Sequence, residues 1–451
     1  MAKWNRREFL RTTCCSAAAG FAAASFSRFG MVNALAQSAT DYKALVCVFL
    51  FGGNDSNNMV IPFDTTGYGA YKTARGGLAL AQASLLPITP TTLGQPFALH
   101  PKFTGMQSLF NQKQMAVVAN VGTLIQPTTR AQFRGRGAQV PINLFSHSDQ
   151  EAQMQTAILN KVAETGWAGR TADKIQQTFG GNFPIIISLA GTNIFCEGIV
   201  AQSIQSNGNP TRLLNGFGGG SAESTARLSA LQSLLTFDTG LSLVQAASTT
   251  TGNAIQNGQA LATALASGTP LATVFPNTGL SNQLQQVAKI IQVRAALGLQ
   301  RQIFFVSAGG YDTHSDQLAA HNNLFNDLNQ SLSAFYQATV EMGVASNVTT
   351  FTLSDFGRTW LPNSNGTDHA WGSHLMVMGG AVKGGDFYGT FPTLVAGGPD
   401  DATSEGRWIP TTSLDQYAAT LANWFGVAVA DLPSVFPNLG NFASPTVGFM
   451  G

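Results

Sequence analysis

The sequence predicts an α/β protein with a mostly parallel β-sheet. Five short apolar runs, rich in Val, Ile and Phe, have the composition of strands buried on both faces, which is typical of parallel sheets. Segments with the apolar spacing of helices separate several of these runs. The predicted strands cover residues 44–51, 115–121, 183–189, 302–307 and 348–353.

The first predicted strand ends in a turn that carries an acid. Gly52 and Gly53 permit a tight turn, and Asp55 follows them. Asp55 would emerge at the carboxyl end of the strand, where ligands bind in open α/β sheets. In the alternative interpretation, Asp55 only makes hydrogen bonds within the turn.

A helix start follows the second predicted strand. Ser148 and Glu151 fit a capping box, which predicts a helix over residues 148–163. Ser146 and His147 would stand just before it, where free backbone N–H groups suit an oxyanion. Ser146, with His147 beside it, is therefore the candidate catalytic pair, and the alternative is that these serines are only caps.

The stretch of about residues 221–299 is helical in pattern, low in charge and rich in Ala, Gln, Ser and Leu. It predicts a helical insertion or cap on the main domain rather than a separate domain. Outside the N-terminal segment the chain has two cysteines, Cys47 and Cys196. They could pair after export, but their spacing does not demand a disulfide and excludes a Cys-x-x-Cys zinc site.

The fourth and fifth predicted strands repeat the pattern of the first one. Each is followed by an acid, and each acid has histidine nearby in the sequence. Carboxylates together with imidazoles suit Zn²⁺ or Mn²⁺, whereas sites made only of oxygen suit Mg²⁺ or Ca²⁺. The repetition predicts a divalent metal site at one edge of the sheet. The candidate ligands are Asp55, Asp312, His314, Asp355, Asp368 and His369.

The N-terminal segment predicts export. Residues 5–10 read NRREFL, a twin-arginine pattern; an Ala-rich stretch follows, with a small-x-small cleavage site at residues 34–36. We expect a signal peptide over residues 1–36, handled by the twin-arginine translocase, and a periplasmic or secreted protein. The alternative for this segment is a short amphipathic helix. No later apolar run reaches the roughly 18 residues of a membrane span.

The charge of the remaining chain argues against nucleic acid as a partner. The whole sequence has 24 basic and 23 acidic residues. Residues 1–36 contain five of the basic and one of the acidic residues, so 19 basic and 22 acidic residues remain. A net charge of about −3 provides no basic field for nucleic acid or an anionic membrane.

A set of motifs resembles one bacterial protein family, the domain of unknown function 1501. They are FLFGGNDSNN, SHSDQ, GGYDTHSDQ, SDFGRT, DHAWGSH and the final WFGV and VFPNL, in the expected order. That family is similar in fold to the alkaline phosphatase and sulfatase superfamily. The resemblance implies a three-layer α/β/α domain over residues 43–450, with a metal site at the carboxyl ends of the strands.

The resemblance also implies roles for individual residues. Asp55 matches a ligand of the metal that activates the nucleophile, and Ser146 matches the nucleophile region. Asp312 and His314 stand where the superfamily holds the other metal. Asp355 matches the acid of an Asp-His-Gly motif, in which Phe356 replaces the histidine and His147 could compensate. Asp368 and His369 match the region of the last histidine ligand.

These observations predict an exported, metal-dependent hydrolase of phosphate or related esters, with a small-molecule or polymer substrate. The cofactor would be one or two divalent ions, zinc or else manganese or magnesium. Whether Ser146 or a water molecule attacks the ester stays open. Formylglycine sulfatase chemistry is disfavoured, because Cys47, Cys196 and Ser146 lack its Cys-x-Pro-x-Arg context. The alternative is a non-catalytic binding or assembly protein on the same fold.

Overall fold

A mixed β-sheet forms the centre of the compact unit Lys43–Gly451. The computed structural model describes residues 41–206, 208, 216–217, 220–237 and 240–451. The predicted signal peptide lies outside these described residues. The strands are β1 Lys43–Leu50, β2 Val60–Pro62, β3 Leu86–Ile88, β4 Phe97–Leu99, β5 Met115–Gly122, β6 Ile186–Ser188, β7 Ser203–Gln205, β8 Arg301–Ala308, β9 Val348–Ser354, β10 Ser373–Met378, β11 Phe387–Tyr388 and β12 Thr412–Ser413.

The order of the main sheet is β11-β5-β10-β9-β1-β8-β6-β7, and β12 also pairs with β5. Every described pair is parallel except the two made by β10, which runs antiparallel to β5 and β9. The prediction of a mostly parallel sheet is therefore confirmed. The strands β2, β4 and β3 form a separate antiparallel sheet within 60–99, where the sequence shows no strand pattern.

Helices cover both faces of the main sheet. The α-helices are α1 Thr65–Arg75, α2 Thr104–Asn111, α3 Arg130–Arg134, α4 His147–Thr156, α5 Trp167–Phe179, α6 Ala222–Leu235, α7 Ser242–Ala266, α8 Gly279–Gln292, α9 Gln317–Glu341, α10 Leu414–Phe425 and α11 Leu432–Val435. Helices α4, α5 and α10 pack on one face, and α2, α8 and α9 pack on the other.

The alternation of side chains along β1 also shows that both faces of the sheet are covered. Cys47 and Phe49 belong to the large core that also contains Trp167 of α5 and Tyr417 of α10. The intervening Val46 and Val48 point to the opposite face and are equally buried. A strand buried on both faces needs a layer on each side, so the predicted three-layer α/β/α architecture is confirmed.

The stretch 221–299, where the sequence predicts a helical insertion, contains α6, α7 and α8. Helix α8 packs directly on β8 and α9 and so belongs to a helical layer. Helices α6 and α7 pack against each other. Among the described helices, none combines the length and the apolar character needed to cross a membrane. Cys47 and Cys196 are both buried, and both are free thiols.

The parallel register of β1, β8 and β9 places their carboxyl ends side by side. Leu50 pairs with Ala308 on one side and with Ser354 on the other. Gly52 has φ +114°, and a Cβ atom there would collide with the backbone nitrogen of Asp312. The glycine turn after β1 can therefore lie against the segment after β8 only because it has no side chain.

Candidate metal centre

Six candidate residues come from three parts of the chain that meet at this edge of the sheet. His147 is the first residue of α4, Asp312 and His314 follow β8, and Asp355 follows β9 directly. Asp368 and His369 lie in the loop between β9 and β10. That loop folds back on itself, because Arg358 and His369 form an antiparallel bridge.

His147, Asp312 and His369 could hold one metal ion between them. The Nε2 atoms of the two histidines are 3.0 Å apart. Oδ1 of Asp312 is 3.4 Å from Nε2 of His147 and 3.5 Å from Nε2 of His369. Ligand atoms around a tetrahedral zinc with bonds of about 2.0–2.1 Å are separated by about 3.3–3.4 Å. The three atoms therefore have the spacing of one face of such a site.

The other ring nitrogens of these histidines explain why Nε2 can be a ligand. Nδ1 of His369 is 2.7 Å from the carbonyl oxygen of Phe145, which can only accept a hydrogen bond. Nδ1 of His147 is 2.8 Å from Oδ2 of Asp355. In the neutral imidazole the proton then lies on Nδ1 and the lone pair lies on Nε2, which is the usual arrangement of metal-binding histidines.

His314 lies at the edge of the same cluster. Its Nε2 is 3.0 Å from Oδ1 of Asp312 and 2.9 Å from Nε2 of His369. Its Nδ1 is 3.1 Å from Oδ1 of Asp368, which also accepts a hydrogen bond from Asn363 at 2.6 Å. His314 thus repeats the pattern of the other two histidines and is a candidate fourth ligand.

Arg358 keeps Asp312 in its charged form. Its Nη1 donates to Oδ1 of Asp312 at 2.8 Å, and its own side chain is fully buried. Burial by itself would raise the pKa of Asp312, but the hydrogen bond and charge of Arg358 and the neighbouring imidazoles outweigh it and lower the pKa. Metal binding needs the ionised carboxylate, so this arginine supports Asp312 as a ligand.

Asp355 and Asp368 were predicted as metal ligands. In the structure, Asp355 contacts Nδ1 of His147 and Asp368 contacts Nδ1 of His314. The carboxylate of Asp355 accepts the backbone N–H of Gly52 at 3.1 and 3.2 Å in addition to His147. Burial raises its pKa, although the contacts with His147 and Gly52 act against that rise. The two acids contact Nδ1 rather than the point where the Nε2 atoms meet, so neither belongs to the three residues that could hold one ion, and their role as ligands stays a prediction.

Asp55 was also predicted as a ligand, and the structure places it away from the three-residue cluster. Its side chain is fully buried and forms an ion pair with Arg75 of α1. Gln317 of α9 donates to the same carboxylate oxygen, and the backbone N–H of Asn57 donates to the other at 3.1 Å. The turn after Gly53 carries this acid toward α1 and α9.

Ser146 takes the N-cap position of α4, so the helix begins at His147, one residue before the predicted start at 148. Its hydroxyl donates to Oδ2 of Asp149 at 2.6 Å and not to an imidazole. That bond and one from Asn143 hold the pKa of Asp149 below its ordinary value. The helix ends at Thr156 rather than at 163, because Ala157 adopts a left-handed conformation. The role of Ser146 as a nucleophile stays a prediction.

Three residues of the site have no counterpart in the predicted set. Phe145 has φ +72°, an uncommon conformation for a bulky residue, and this conformation accompanies the contact of its carbonyl with His369. The ring of Phe356 lies 4.7 Å from the rings of both His147 and His369. Arg358 also went unpredicted, although it stands within the SDFGRT motif. No sequence pattern marks the strained Phe145.

The remaining three histidines are buried away from the centre. Burial lowers the pKa of His100 and His374 to about 3 and that of His321 to about 4. In the centre itself, the side chains of Asp312 and His314 are 47% and 43% exposed. His147 and His369 are 32% and 24% exposed. The centre is thus open to solvent.

Comparison with known proteins identifies a family. The sequence profile described as "Protein of unknown function (DUF1501)" matches residues 42–404. No curated protein matches the chain.

Solved structures with a similar course of the chain include a PsFucS1 sulfatase from Pseudoalteromonas sp., at 10% identity and a TM-score of 0.35, covering 89% of this chain and 71% of that one. The lipoteichoic acid synthase LtaP from Listeria monocytogenes has 8% identity and a TM-score of 0.33, covering 88% and 74%. A 2-O GAG sulfatase has 8% identity and a TM-score of 0.31, covering 88% and 74%.

Proposed function

The chain belongs to the DUF1501 family of proteins of unknown function, and from its metal centre we propose that it is an exported, metal-dependent hydrolase of phosphate or related esters. One observation carries the proposal. The Nε2 lone pairs of His147 and His369 converge on Oδ1 of Asp312, and in each histidine Nδ1 is already engaged by an acceptor. Three electron-pair donors that face one another repel unless a cation lies between them.

We propose that His147, His369 and Asp312 hold the ion and that His314 completes the set. Imidazole donors favour zinc over magnesium or calcium, and the carboxylate of Asp312 would also suit manganese. When bound, the ion would supply Lewis-acid stabilisation of the negative charge that develops on the ester oxygens.

The residues around the ion would position the attacking group. Ser146 precedes His147 and begins α4, whose free N–H groups can receive an ester oxyanion. In the serine route, Ser146 Oγ bonds to phosphorus while its proton passes to Oδ2 of Asp149. The bond from phosphorus to the ester oxygen breaks, and the proton on Asp149 passes to the departing alcohol oxygen. Water then attacks the phosphoserine, the bond between Oγ and phosphorus breaks, and one proton of that water returns to Oγ of Ser146. In the other route, water attacks phosphorus directly and Ser146 only binds.

The exposure of the centre supports a large substrate. Small-molecule sites bury most of their ligand in a concave pocket, whereas Asp312 and His314 are nearly half exposed. Arg407 lies beside the centre, because its Nε donates to the carbonyl of His369 at 2.7 Å and its guanidinium lies 5.1 Å from the ring of Phe145. We propose an anionic ester group carried by a polymer or another large molecule.

The test combines metal analysis with turnover. Purified protein loaded with zinc, manganese or magnesium would be assayed on p-nitrophenyl phosphate, bis-p-nitrophenyl phosphate and p-nitrophenyl sulfate. We expect turnover that disappears, together with the bound metal, in His369→Ala and Asp312→Ala. Asp431→Ala, at an exposed acid paired with Lys174, is the matched control and keeps both. Full metal content in His369→Ala would contradict the proposal.

A non-catalytic assembly role is the alternative, and the α6–α7 region favours it. Three large apolar side chains there are strongly exposed, namely Leu234 at 70%, Phe237 at 69% and Leu243 at 84%. Exposed apolar patches of this kind often mark protein contacts. Turnover that is lost in a folded Ser146→Ala variant would remove this alternative, and metal binding without turnover on any ester would favour it.

A further inference from the structure

We infer that the centre binds a single metal ion, because the guanidinium of Arg75 holds the carboxylate that a second ion would need. The inference rests on the proposed metal-dependent function and fixes the number of ions. Among the three predicted strand-end acids, Asp312 belongs to the cluster and Asp355 contacts His147, whereas Asp55 is bonded to Asn57, Arg75 and Gln317. Its Oδ2 is paired with Nη2 of Arg75, and both side chains are completely buried.

The carboxylate of Asp55 already has a donor on each oxygen. Asn57 N–H donates to Oδ1 at 3.1 Å, while Arg75 and Gln317 both donate to Oδ2. These donors belong to the fold and not to solvent, since Asp55 is 0% exposed. A cation could reach Asp55 only by displacing Arg75 from the interior.

Arg75 is fixed in place by more than its partner acid. It is the last residue of α1, and its Nη1 donates to the backbone carbonyls of Thr359 and Trp360, each at 3.0 Å. Displacing the guanidinium would leave two buried carbonyls unpaired and a charge without a partner. Arg75 therefore acts as a permanent counter-ion for Asp55.

Phe356 also makes the space between the glycine turn and the two histidines unsuitable for a second ion. It is buried, and its ring touches the rings of His147 and His369 as well as the space above Gly53. An apolar ring offers no lone pair to a metal. The Phe356 ring therefore fills the space between Gly53 and the two histidines without offering a donor to a second ion, and the carboxylate of Asp355 is already engaged by Gly52 and His147.

The Asp55–Arg75 pair has a positioning role instead. Gln317 joins the pair to the centre, because its Oε1 accepts from the hydroxyl of Thr367 at 2.5 Å. Nε of Arg358 donates to that same hydroxyl at 3.3 Å, and Arg358 in turn holds Asp312. The buried network therefore supports the arginine that orients a metal ligand.

The experiment counts ions on the full chain with zinc alone as the probe. Native protein, Asp55→Asn and His369→Ala would be loaded with excess zinc, desalted, and analysed by elemental mass spectrometry and thermal melting. We expect one zinc per chain in the native protein and in Asp55→Asn, and almost none in His369→Ala. Asp55→Asn should melt several degrees below native protein, whereas His369→Ala should melt near the zinc-free native protein.

The outcomes separate the two proposals. Two ions in the native protein and one in Asp55→Asn would overturn the single-ion inference and leave the hydrolase proposal standing. No ion in the native protein would overturn the hydrolase proposal itself. Asp64→Asn, at the half-buried N-cap of α1, controls for the loss of a carboxylate and should bind one ion.

A double variant keeps the inference testable if Asp55→Asn does not fold. Asp55→Asn combined with Arg75→Met removes both charges, so it should melt above Arg75→Met alone, which leaves one buried charge unpaired. It should still bind one zinc. Its affinity should fall less than the roughly 10–100-fold loss typical of a direct outer partner of a ligand. Complete loss of zinc in the folded double variant would identify Asp55 as a ligand and overturn the inference.

Discussion

At the scale of single residues, the hydrogen bond at Nδ1 of each histidine determines whether its Nε2 carries a lone pair that can bind a metal ion. Phe145 offers a carbonyl oxygen to His369, and Asp355 offers a carboxylate to His147. Both are acceptors, so both rings present a lone pair at Nε2. The outer partners thus belong to the chemistry of the centre as much as the ligands do.

Replacing Asp355 tests this assignment. In Asp355→Ala, His147 loses the acceptor that fixes its ring, and zinc affinity should fall by roughly 10–100-fold while one ion still binds at saturation. Competition against a chromophoric chelator measures the affinity. Asp431→Ala should bind zinc like the native protein. If Asp355→Ala bound no zinc at any concentration, Asp355 would be a ligand rather than an orienting residue.

The sequence brings most of the predicted site residues to one place but does not show their contacts. Asp312, His314 and His369 do meet, because acids and histidines that follow parallel strands reach one edge of the sheet. Sequence position does not show which side of an imidazole an acid will contact, so the Nδ1 contacts of Asp355 and Asp368 could not be foreseen. The ion pair of Asp55 could not be foreseen either, because Arg75 lies on a helix that the sequence pattern did not reveal.

At the scale of elements, the long strands were predictable and the short ones were not, apart from the three-residue β6 within the predicted strand 183–189. β1, β5, β8 and β9 are eight or seven residues long and almost entirely buried, so their apolar runs stand out. β11 and β12 have two residues each, too few for a pattern. Helix α4 ended early because Ala157 leaves the helical conformation, which composition does not signal.

The glycine turn after β1 leads to a prediction about that element. Gly52 has φ +114°, and an added Cβ would meet the backbone of Asp312. Gly52→Ala should therefore destabilise the fold by roughly 2–4 kcal/mol and weaken zinc binding through displacement of Asp312. Denaturant unfolding and zinc titration measure the two effects.

Gly309→Ala is the matched control for Gly52→Ala. It lies in the corresponding turn after β8, and a Cβ there would have open space around it. We expect nearly native stability and zinc affinity. Equal behaviour of the two variants would show that the close approach at Gly52 does not hold Asp312 in place.

Helix α10 contains a buried acid that makes stability depend on pH. Asp415 is fully buried and accepts the backbone N–H of Asn438 at 3.0 Å, and burial raises its pKa to about 7. The ordinary pKa in the unfolded chain is about 4, so the folded protein binds more protons between these values. Its contribution is therefore most favourable below about pH 4 and is lost as the pH rises to 7.

Asp415→Asn should remove this dependence. The variant should gain stability over native protein at pH 8, by up to roughly 4 kcal/mol, and the gain should shrink toward pH 5. Melting temperatures from pH 5 to pH 8.5 measure it. Asp431→Asn, at an exposed acid, should show no such trend. A constant difference between Asp415→Asn and native protein at every pH would contradict the assignment.

At the scale of the whole molecule, the centre joins parts of the chain that are distant in sequence. His147 starts α4, Asp312 follows β8, and His369 lies more than 200 residues beyond His147. An ion bound to all three would connect one helical layer to two strand ends. Ion binding should therefore stabilise the folded state as a whole.

Metal removal tests this connection. Treatment with a chelator should lower the melting temperature, and zinc at 1,000 times its Kd should restore about 4 kcal/mol of stability. Scanning calorimetry with and without zinc measures the change. In His369→Ala, added zinc should leave the melting temperature unchanged. A native protein that melts at the same temperature with and without zinc would contradict this prediction.

The antiparallel direction of β10 has a consequence for how this protein could diversify. Because β10 returns beside β9, the segment 355–372 leaves and re-enters the sheet at the same edge. Within this segment only residues 363–365 are exposed, whereas Arg358, Trp360, Thr367 and Trp371 are buried. The length of the chain at 363–365 can therefore change without altering the register of any strand, and loop length itself costs little free energy. A short Gly/Ser insertion after Ser364 should change the approach to the centre and leave the melting temperature nearly unchanged.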